Sequence, residues 1–309
     1  MHESKTYRTN RGIALALAAY VFWGLFPLYF RMLPGIAAHE VVAHRIVWSL
    51  VFMMAVLAWQ KRFAWLGELR NKPRVLLTFA LSSCLISINW LTYVWAVQHG
   101  HVLDASLGYF INPLVNVMLG FVVLHERPRP LQWVAVAIAA CGVLWLAVLA
   151  GHVPYIGLVL AFSFGFYALV RKTASLGALE GLALETILLA PLAAFALLAI
   201  SAGAWGQVST TANATTGTWF WLLMAGPFTA VPLLMFAAGA RVLPLSAMGV
   251  LQYIAPSLQF VLGVWVFHEP MVPMRLVGFA LIWLALALYS FEGLWTNRLK
   301  QQPALAPQR

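Results

Sequence analysis

Long runs of apolar residues, separated by short polar stretches, recur along the whole chain of 309 residues. Most of these runs reach the roughly 20 residues that an α-helix needs to cross the hydrocarbon core of a bilayer, and they are about twice as long as the strands of a membrane barrel. The pattern predicts an all-α integral membrane protein with ten transmembrane helices. The predicted spans are 12–30, 40–59, 75–98, 105–124, 131–150, 155–170, 182–200, 218–240, 245–267 and 274–294.

Composition supports this interpretation. Charged residues make up 9% of the chain and hydrophobic residues 62%, whereas a soluble domain carries roughly 25% charged residues. A water-soluble globule of this size could not hide so much apolar surface, so a soluble enzyme, a nucleic-acid reader and a disordered chain are excluded. The net charge of +10 therefore predicts no nucleic-acid partner. Instead, the basic residues lie at the ends of the spans, where they act as orientation signals.

Most of the 19 Lys and Arg residues fall on one side of the predicted membrane. The positive-inside rule then predicts that both termini are cytoplasmic and that the polar stretch 203–217 lies outside. The first span is longer than the roughly 7–15 apolar residues of a signal peptide, so we interpret it as an uncleaved helix.

An internal repeat relates the two halves of the chain. When the sequence is shifted by 143 residues, 111–126 aligns with 254–269, and seven of the sixteen positions are identical, including Pro113/Pro256 and Glu126/Glu269. We expect a first repeat at 1–150 with the first five spans. The second, at 151–309, would hold the other five and a short cytoplasmic tail. Because five is odd, the halves are inverted copies, an architecture typical of secondary transporters.

Two aligned spans carry polar side chains on one helical face. Stepping 100° per residue, Tyr109, Asn112 and Asn116 share one stripe of the fourth span, and Gln252 and Gln259 share the matching stripe of the ninth. Small residues on these stripes favour helix packing. The amides favour a wet cavity, because polar groups within a bilayer usually face a bundle interior or water.

Pro113 and Pro256 lie at the same position of the repeat. Each deprives the carbonyl four residues earlier, at Tyr109 or Gln252, of its helical donor. Helices broken at matching positions point to a transporter site, while a simple kink is the alternative. Further cavity candidates are aromatic or polar residues of other spans that would suit a flat, partly apolar molecule: Tyr20, Trp23, Asn89, Tyr93, Ser163, Tyr167 and Tyr253.

Two charges are predicted to lie inside the membrane. The expected partner of Arg45 is Glu269, and that of Glu185 is Arg171 or Lys172. We favour structural ion pairs, and proton coupling is the open alternative. No catalytic cluster, cofactor motif or metal site is expected, and His39 and His44 are five residues apart, whereas the zinc-protease helix needs four.

The run 104–116, DASLGYFINPLVN, resembles the RarD branch of the EamA family within the drug/metabolite transporter superfamily. Supporting stretches are 18–24, 44–45, 89–90, 161–172 and 252–256, and the resemblance covers residues 10 to 296. It implies a carrier of the bacterial inner membrane with two EamA repeats and alternating access, whose central cavity is surrounded by spans one, three, four, six, eight and nine. The family often shows Gly-Glu where this chain has His125-Glu126 and His268-Glu269.

The resemblance thus implies a secondary active transporter that exports small metabolites or drugs. "Chloramphenicol-sensitive protein", the label of RarD-type proteins, names a phenotype. The alternatives are a non-transporting membrane scaffold or sensor and an intramembrane enzyme, for which the sequence offers no catalytic cluster. Expected partners are membrane lipids and a small-molecule substrate; protons are an open possibility, and the sequence assigns no oligomeric state.

Overall fold

The structure, a computed structural model, describes residues 2–69, 72–98, 102–151, 153–203, 209–266 and 273–301, and in these ranges the regular structure is helical. A 3₁₀ turn at Thr210–Asn213 accompanies thirteen α-helices. These are α1 (His2–Gly24), α2 (Phe26–Phe30), α3 (Ala38–Trp59), α4 (Ala64–Leu69), α5 (Pro73–Gln98), α6 (Val102–Val122), α7 (Pro130–Ala150), α8 (Tyr155–Thr173), α9 (Ala178–Ser201), α10 (Thr216–Val242), α11 (Leu245–Gln252), α12 (Ile254–Trp265) and α13 (Pro273–Gln301).

The predicted all-α membrane fold is confirmed. Eight helical segments in the described residues are long and apolar enough to cross a membrane, and Leu107–Val122 within α6 is a shorter apolar stretch. The first predicted span corresponds to α1 and α2, and the ninth to α11 and α12. Where they are described, all ten predicted spans are helical. The short helix α4 and the 3₁₀ turn were not predicted.

Two of the predicted spans are interrupted. The first turns at Leu25, where Pro27 supports the start of α2, and the ninth turns at Tyr253, just before Pro256. In contrast, α6 continues through Pro113. The expectation of matching breaks at the two prolines is therefore wrong. Helix α11 packs closely against this part of α6, since a Cβ at Gly249 would lie 2.6 Å from the Pro113 carbonyl oxygen.

The helices pack in pairs that map onto one another when the first five spans are exchanged for the last five. Helix α1 contacts α10 and α12, and α8 correspondingly contacts α5 and α6. Helix α3 contacts α10 as α9 contacts α5, while the pairs α3–α9, α6–α11 and α7–α13 map onto themselves. The contacts of the fold thus have an approximate twofold relationship.

Small residues allow close approach at these contacts, as is typical of membrane helices. A Cβ at Gly108 of α6 would lie 2.9 Å from the carbonyl oxygen of Gly157 in α8. The main buried core includes Tyr20, Phe236 and Met248, whose side chains are fully enclosed. A second core, around Phe110 and Phe279, joins α6 to the α7–α13 pair.

Candidate functional site

A cavity of about 480 Å³ lies among α1, α2, α3, α5, α6, α8, α10, α11 and α12. This size falls in the roughly 300–1,000 Å³ typical of small-molecule sites. Its aromatic wall consists of Tyr20, Trp23, Phe26, Phe30, Trp90, Tyr93, Tyr109 and Phe164, and its polar lining includes Arg45, Asn89, Asn112, Gln252 and Gln259. Flat rings and hydrogen-bonding groups therefore face one enclosed space.

Most of the residues predicted for a cavity line it. They come from four different predicted spans, and they are Tyr20, Trp23, Asn89, Tyr93, Tyr109, Asn112, Gln252, Pro256 and Gln259. The structure brings them together because the N-terminal halves of α3, α6, α8 and α12 meet the C-terminal ends of α1, α5 and α11. Five other predicted residues lie outside the lining: Pro113, Asn116, Ser163, Tyr167 and Tyr253.

Asn116 and Ser163 lie directly behind the cavity wall. Asn116 has 0% exposure, and its Nδ2 donates to Asn112 Oδ1 and to Gln252 Oε1, both at 3.0 Å. Ser163 Oγ accepts a hydrogen bond from Asn89 Nδ2 at 3.1 Å and donates to the Leu160 carbonyl oxygen at 3.1 Å. Both residues therefore hold lining residues in place, one layer behind them.

Two of the five tyrosines predicted for the cavity belong to other parts of the fold. Tyr167 lies one layer deeper, where its hydroxyl donates to Glu185 Oε2 at 3.3 Å. Tyr253 follows Gln252 by one position and so points about 100° away from it, into the core formed with Phe279. A helical face estimated from sequence gives a direction around the axis but no depth along it, which explains the misplacement of Tyr167, whereas Tyr253 lies off the polar face altogether.

The cavity amides also connect neighbouring helices. Asn112 Nδ2 donates to the Ala161 carbonyl oxygen of α8 at 2.7 Å, and Asn89 Nδ2 donates to that of Leu160 at 2.9 Å. Gln259 Nε2 donates to the Trp23 carbonyl oxygen of α1 at 3.1 Å. Helix packing and cavity lining were alternative interpretations of the sequence. These amide side chains do both: they line the cavity and hold neighbouring helices together.

Arg45, for which we favoured a structural ion pair, lies in the cavity wall. Its Nε donates to Thr229 Oγ1 at 2.9 Å. The guanidinium carbon lies 5.3 Å from the ring centre of Phe26 and 5.0 Å from that of Trp90, within cation–π range. The expected partner, Glu269, lies outside the described residues.

Glu185 belongs to a separate buried cluster behind the cavity. Its Oε1 lies 3.6 Å from Arg171 Nη1 and accepts a hydrogen bond from Ser82. Arg171 also donates from Nη2 to the Ala178 carbonyl oxygen at 3.1 Å and lies over the Phe79 ring. The partner of Glu185 is therefore Arg171, one of the two that we expected.

Lys172, the other expected partner, instead links α8 to α10. Its ammonium donates to the carbonyl oxygens of Ala240, at 3.1 Å, and Leu243. Arg241 makes the reverse connection, from α10 to the end of α8: its Nη1 donates to the Ala174 carbonyl oxygen at 3.0 Å. The two cations thereby satisfy carbonyls at helix ends that lack intrahelical donors.

Glu126 closes the same end of the bundle. Its carboxylate accepts hydrogen bonds from the backbone N–H groups of Leu245, at 2.6 Å, and Ser246, at 3.0 Å. A negative charge at the N-terminus of α11 is favourable because the backbone donors there are unpaired. Nearer the cavity, the Tyr20 hydroxyl donates to the Met248 carbonyl oxygen at 3.0 Å. The structure is therefore tightly packed on the side that carries most of the basic residues.

Several lining residues were not predicted as site residues, notably Phe26, Trp90, Phe164 and Leu233. A single aromatic or aliphatic residue in a membrane span fits a lipid-facing position equally well, so no sequence pattern distinguishes these lining residues from lipid-facing ones. Trp90 is the exception, because its position next to Asn89 indicates that it lies near the cavity. Within the described ranges, no group of three His, Cys, Asp or Glu residues is arranged to hold a metal ion.

Comparison with known proteins gives three results. Residues 10–148 match the model of the EamA-like transporter family. The chain is 49% identical to an uncharacterized transporter of Pseudomonas aeruginosa, covering 96% of this chain and 99% of that protein. It is also 43% identical to protein RarD of Escherichia coli, over 94% of this chain and 97% of the relative.

A similar fold is present among solved structures. One crystal structure matches with a TM-score of 0.70 at 18% sequence identity, covering 91% of this chain and 98% of the other. At this identity the match supports the fold alone.

Proposed function

The chain belongs to the EamA-like transporter family, among its RarD-type members, and from this membership we propose that it is a secondary active carrier that exports small metabolites or drugs by alternating access. Its relatives at 42–49% identity include proteins named transporters, which supports a multi-pass transporter of the bacterial inner membrane. The export direction and the mechanism are our proposal.

One observation carries this proposal: a cavity of about 480 Å³ is lined by helices of both halves, and we infer that it is closed on the side where Asn116 binds Gln252 behind its lining. A carrier that works by alternating access needs a central site that one set of contacts seals at a time. On the closed side, the Glu126, Lys172 and Arg241 contacts join helix ends of the second half to each other and to α6. A scaffold or sensor requires no such enclosed space.

We further propose that residues 1–150 and 151–309 are inverted repeats. The aligned motifs 111–126 and 254–269 support this, and so does the exchange of helix contacts described above. The family model itself matches 10–148, a stretch that ends close to the proposed boundary. Exchange of conformations between two such halves would open the cavity to the other side of the membrane.

With both termini in the cytoplasm, the sealed side of the cavity is cytoplasmic. The proposal rests on the bias of Lys and Arg residues towards that side. The cavity-lining ends of α1, α3, α5 and α6 then lie towards the periplasm. We propose no catalytic activity, and we propose lipids and a small-molecule substrate as partners. The source of energy and any proton coupling are left to experiment.

The experiment is flux in vesicles that contain only this protein. Purified full-length chain is reconstituted into proteoliposomes and screened against a panel of small metabolites and drugs, chloramphenicol included, with and without a pH gradient. Saturable accumulation above that of protein-free liposomes supports the carrier, and dependence on the gradient identifies proton coupling. Absence of flux across the panel, from protein shown to be folded by size exclusion, would favour the scaffold or sensor.

A further inference from the structure

The cavity carries an unbalanced positive charge. Among the described residues that line it, Arg45 has a formal charge, and none is an acid. A charge kept from water within a membrane protein costs several kcal/mol unless it has a partner. The question is therefore what neutralises Arg45.

The acids whose side chains the structure describes are engaged elsewhere. Glu40, five residues before Arg45 on α3, accepts hydrogen bonds from the backbone N–H groups of Thr210, at 2.8 Å, and Thr211, at 3.2 Å. Each of the other acids whose side chains the structure describes has its own contact: Glu126 with Ser246, Glu180 with Arg62, Glu185 with Arg171 and Glu292 with Arg129. No described carboxylate pairs with Arg45.

The position of the guanidinium suits an incoming anion. Its Nε is fixed by Thr229 and its faces lie against Phe26 and Trp90, so the planar group is held in one orientation. In the described part of the chain, no hydrogen bond or ion pair occupies its two terminal nitrogens. These are the atoms that bind a carboxylate through two parallel hydrogen bonds.

The cavity that holds Arg45 also supplies hydroxyl donors. Tyr93 and Tyr109 line the same cavity, and their rings contact each other edge to face at 5.9 Å. Hydroxyl donors near a cation strengthen binding of a carboxylate, and flat rings around them suit a planar body.

We propose that the cavity binds an organic monoanion with a planar aromatic body, an aryl carboxylate, and that its carboxylate pairs with the guanidinium of Arg45. This inference rests on the proposed carrier function for its physiological meaning, but binding can be measured without transport. A cation would be repelled by Arg45 without gaining an acidic partner, and a neutral analogue would leave the charge unpaired.

The test uses three ligands of nearly equal shape: indole-3-acetate, indole-3-acetamide and tryptamine. Their binding to the purified full-length protein in lipid nanodiscs is measured by isothermal titration calorimetry. Indole-3-acetate should bind at least tenfold more tightly than the amide, and tryptamine should bind most weakly. Equal affinities, a preference for tryptamine, or no binding of indole-3-acetate at millimolar concentration would overturn the proposal. This comparison needs no variant.

Variants then assign the effect to Arg45. In Arg45→Gln, the preference for the acid over the amide should disappear, whereas Arg45→Lys should keep part of it because the charge remains. Arg31→Gln removes an exposed arginine from the neighbouring loop and serves as the control with unchanged preference. Each variant is first checked by size exclusion, and a preference retained in folded Arg45→Gln would overturn the proposal.

The two proposals fail separately. Arg45-dependent binding of indole-3-acetate by a protein that moves nothing in the vesicle screen would refute the carrier and leave the anion site. Flux of compounds whose binding is independent of charge and of Arg45 would keep the carrier and refute the anion site.

Discussion

Asn116 donates a hydrogen bond to Gln252 across the contact between α6 and α11, with 3.0 Å between Nδ2 and Oε1. The repeat aligns Asn116 with Gln259 and Gln252 with Tyr109. In the part of the chain that the structure describes, Tyr109 and Gln259 share no hydrogen bond, and both face the cavity. Asn116 and Gln252 are therefore joined by a hydrogen bond on the sealed side of the cavity. The pair that the repeat aligns with them, Tyr109 and Gln259, is not joined in this way on the other side.

This asymmetry predicts a gate on each side. If alternating access exchanges the conformations of the halves, Asn116 and Gln252 should separate while Tyr109 and Gln259 approach each other. In a background with Cys84 and Cys141 replaced by serine, linking Asn116→Cys to Gln252→Cys with a short bifunctional thiol reagent should abolish flux. A reducible reagent should allow flux to recover.

The single-cysteine variants, treated with the same reagent, are the controls: they show how much flux is lost when a cysteine is labelled but no link forms. The pair Tyr109→Cys and Gln259→Cys should link more slowly in the absence of substrate and faster during turnover. Undiminished flux through a fully linked 116–252 pair would rule out this gate.

The cavity amides give a second prediction. Gln252→Leu and Asn112→Leu should each lower transport about tenfold, which corresponds to roughly 1.4 kcal/mol. Leucine removes a polar group from the lining, and it also leaves Asn116 or the Ala161 carbonyl oxygen without its present partner, a loss of about 1–3 kcal/mol. Initial flux per folded protein is the measurement.

Thr78→Leu is the matched control for these variants, because Thr78 lies on α5 outside the cavity lining and its hydroxyl donates to the Arg74 carbonyl oxygen of its own helix. Its flux should equal that of the unaltered protein. Full flux in both leucine variants of the cavity would show that neither amide contributes to binding.

The sequence predicted the spans and the four amide side chains of the cavity lining, because both depend on periodicity around single helices. Tyr109, Asn112 and Gln252 were identifiable as polar residues on otherwise apolar helices. Depth was not predictable: Asn116 and Tyr167 lie on suitable faces, but each is one layer too far from the cavity. The position of Arg45 depends on contacts with α2, α5 and α10, which no single segment encodes.

The proposed orientation predicts which loops face the periplasm. Ala212 is an exposed residue in the 3₁₀ turn, and Ala64 is an exposed residue at the start of α4. In the background without native cysteines, Ala212→Cys should react in intact cells with a membrane-impermeant maleimide. Ala64→Cys should react only after the cells are opened. The reverse pattern would invert the topology and place the open side of the cavity towards the cytoplasm.

The buried pair of Arg171 and Glu185 predicts a stability effect that is distinct from any effect on transport. Both side chains are 2% exposed, and the pair is supported by Ser82 and Tyr167. Removing one partner leaves the other as an isolated charge in the bundle, a loss of about 3–5 kcal/mol. Glu185→Leu and Arg171→Met should therefore each strongly reduce the amount of folded protein, measured by fluorescence-detected size exclusion.

The double variant separates a structural pair from a proton site. Replacing a whole buried ion pair by apolar residues is often neutral or stabilising, so Arg171→Met with Glu185→Leu should recover most of the folded protein lost in the single variants. If the pair is structural, the double variant should also keep any response of flux to a pH gradient. Recovered folding with loss of that response would instead identify Glu185 as the group that couples protons to transport.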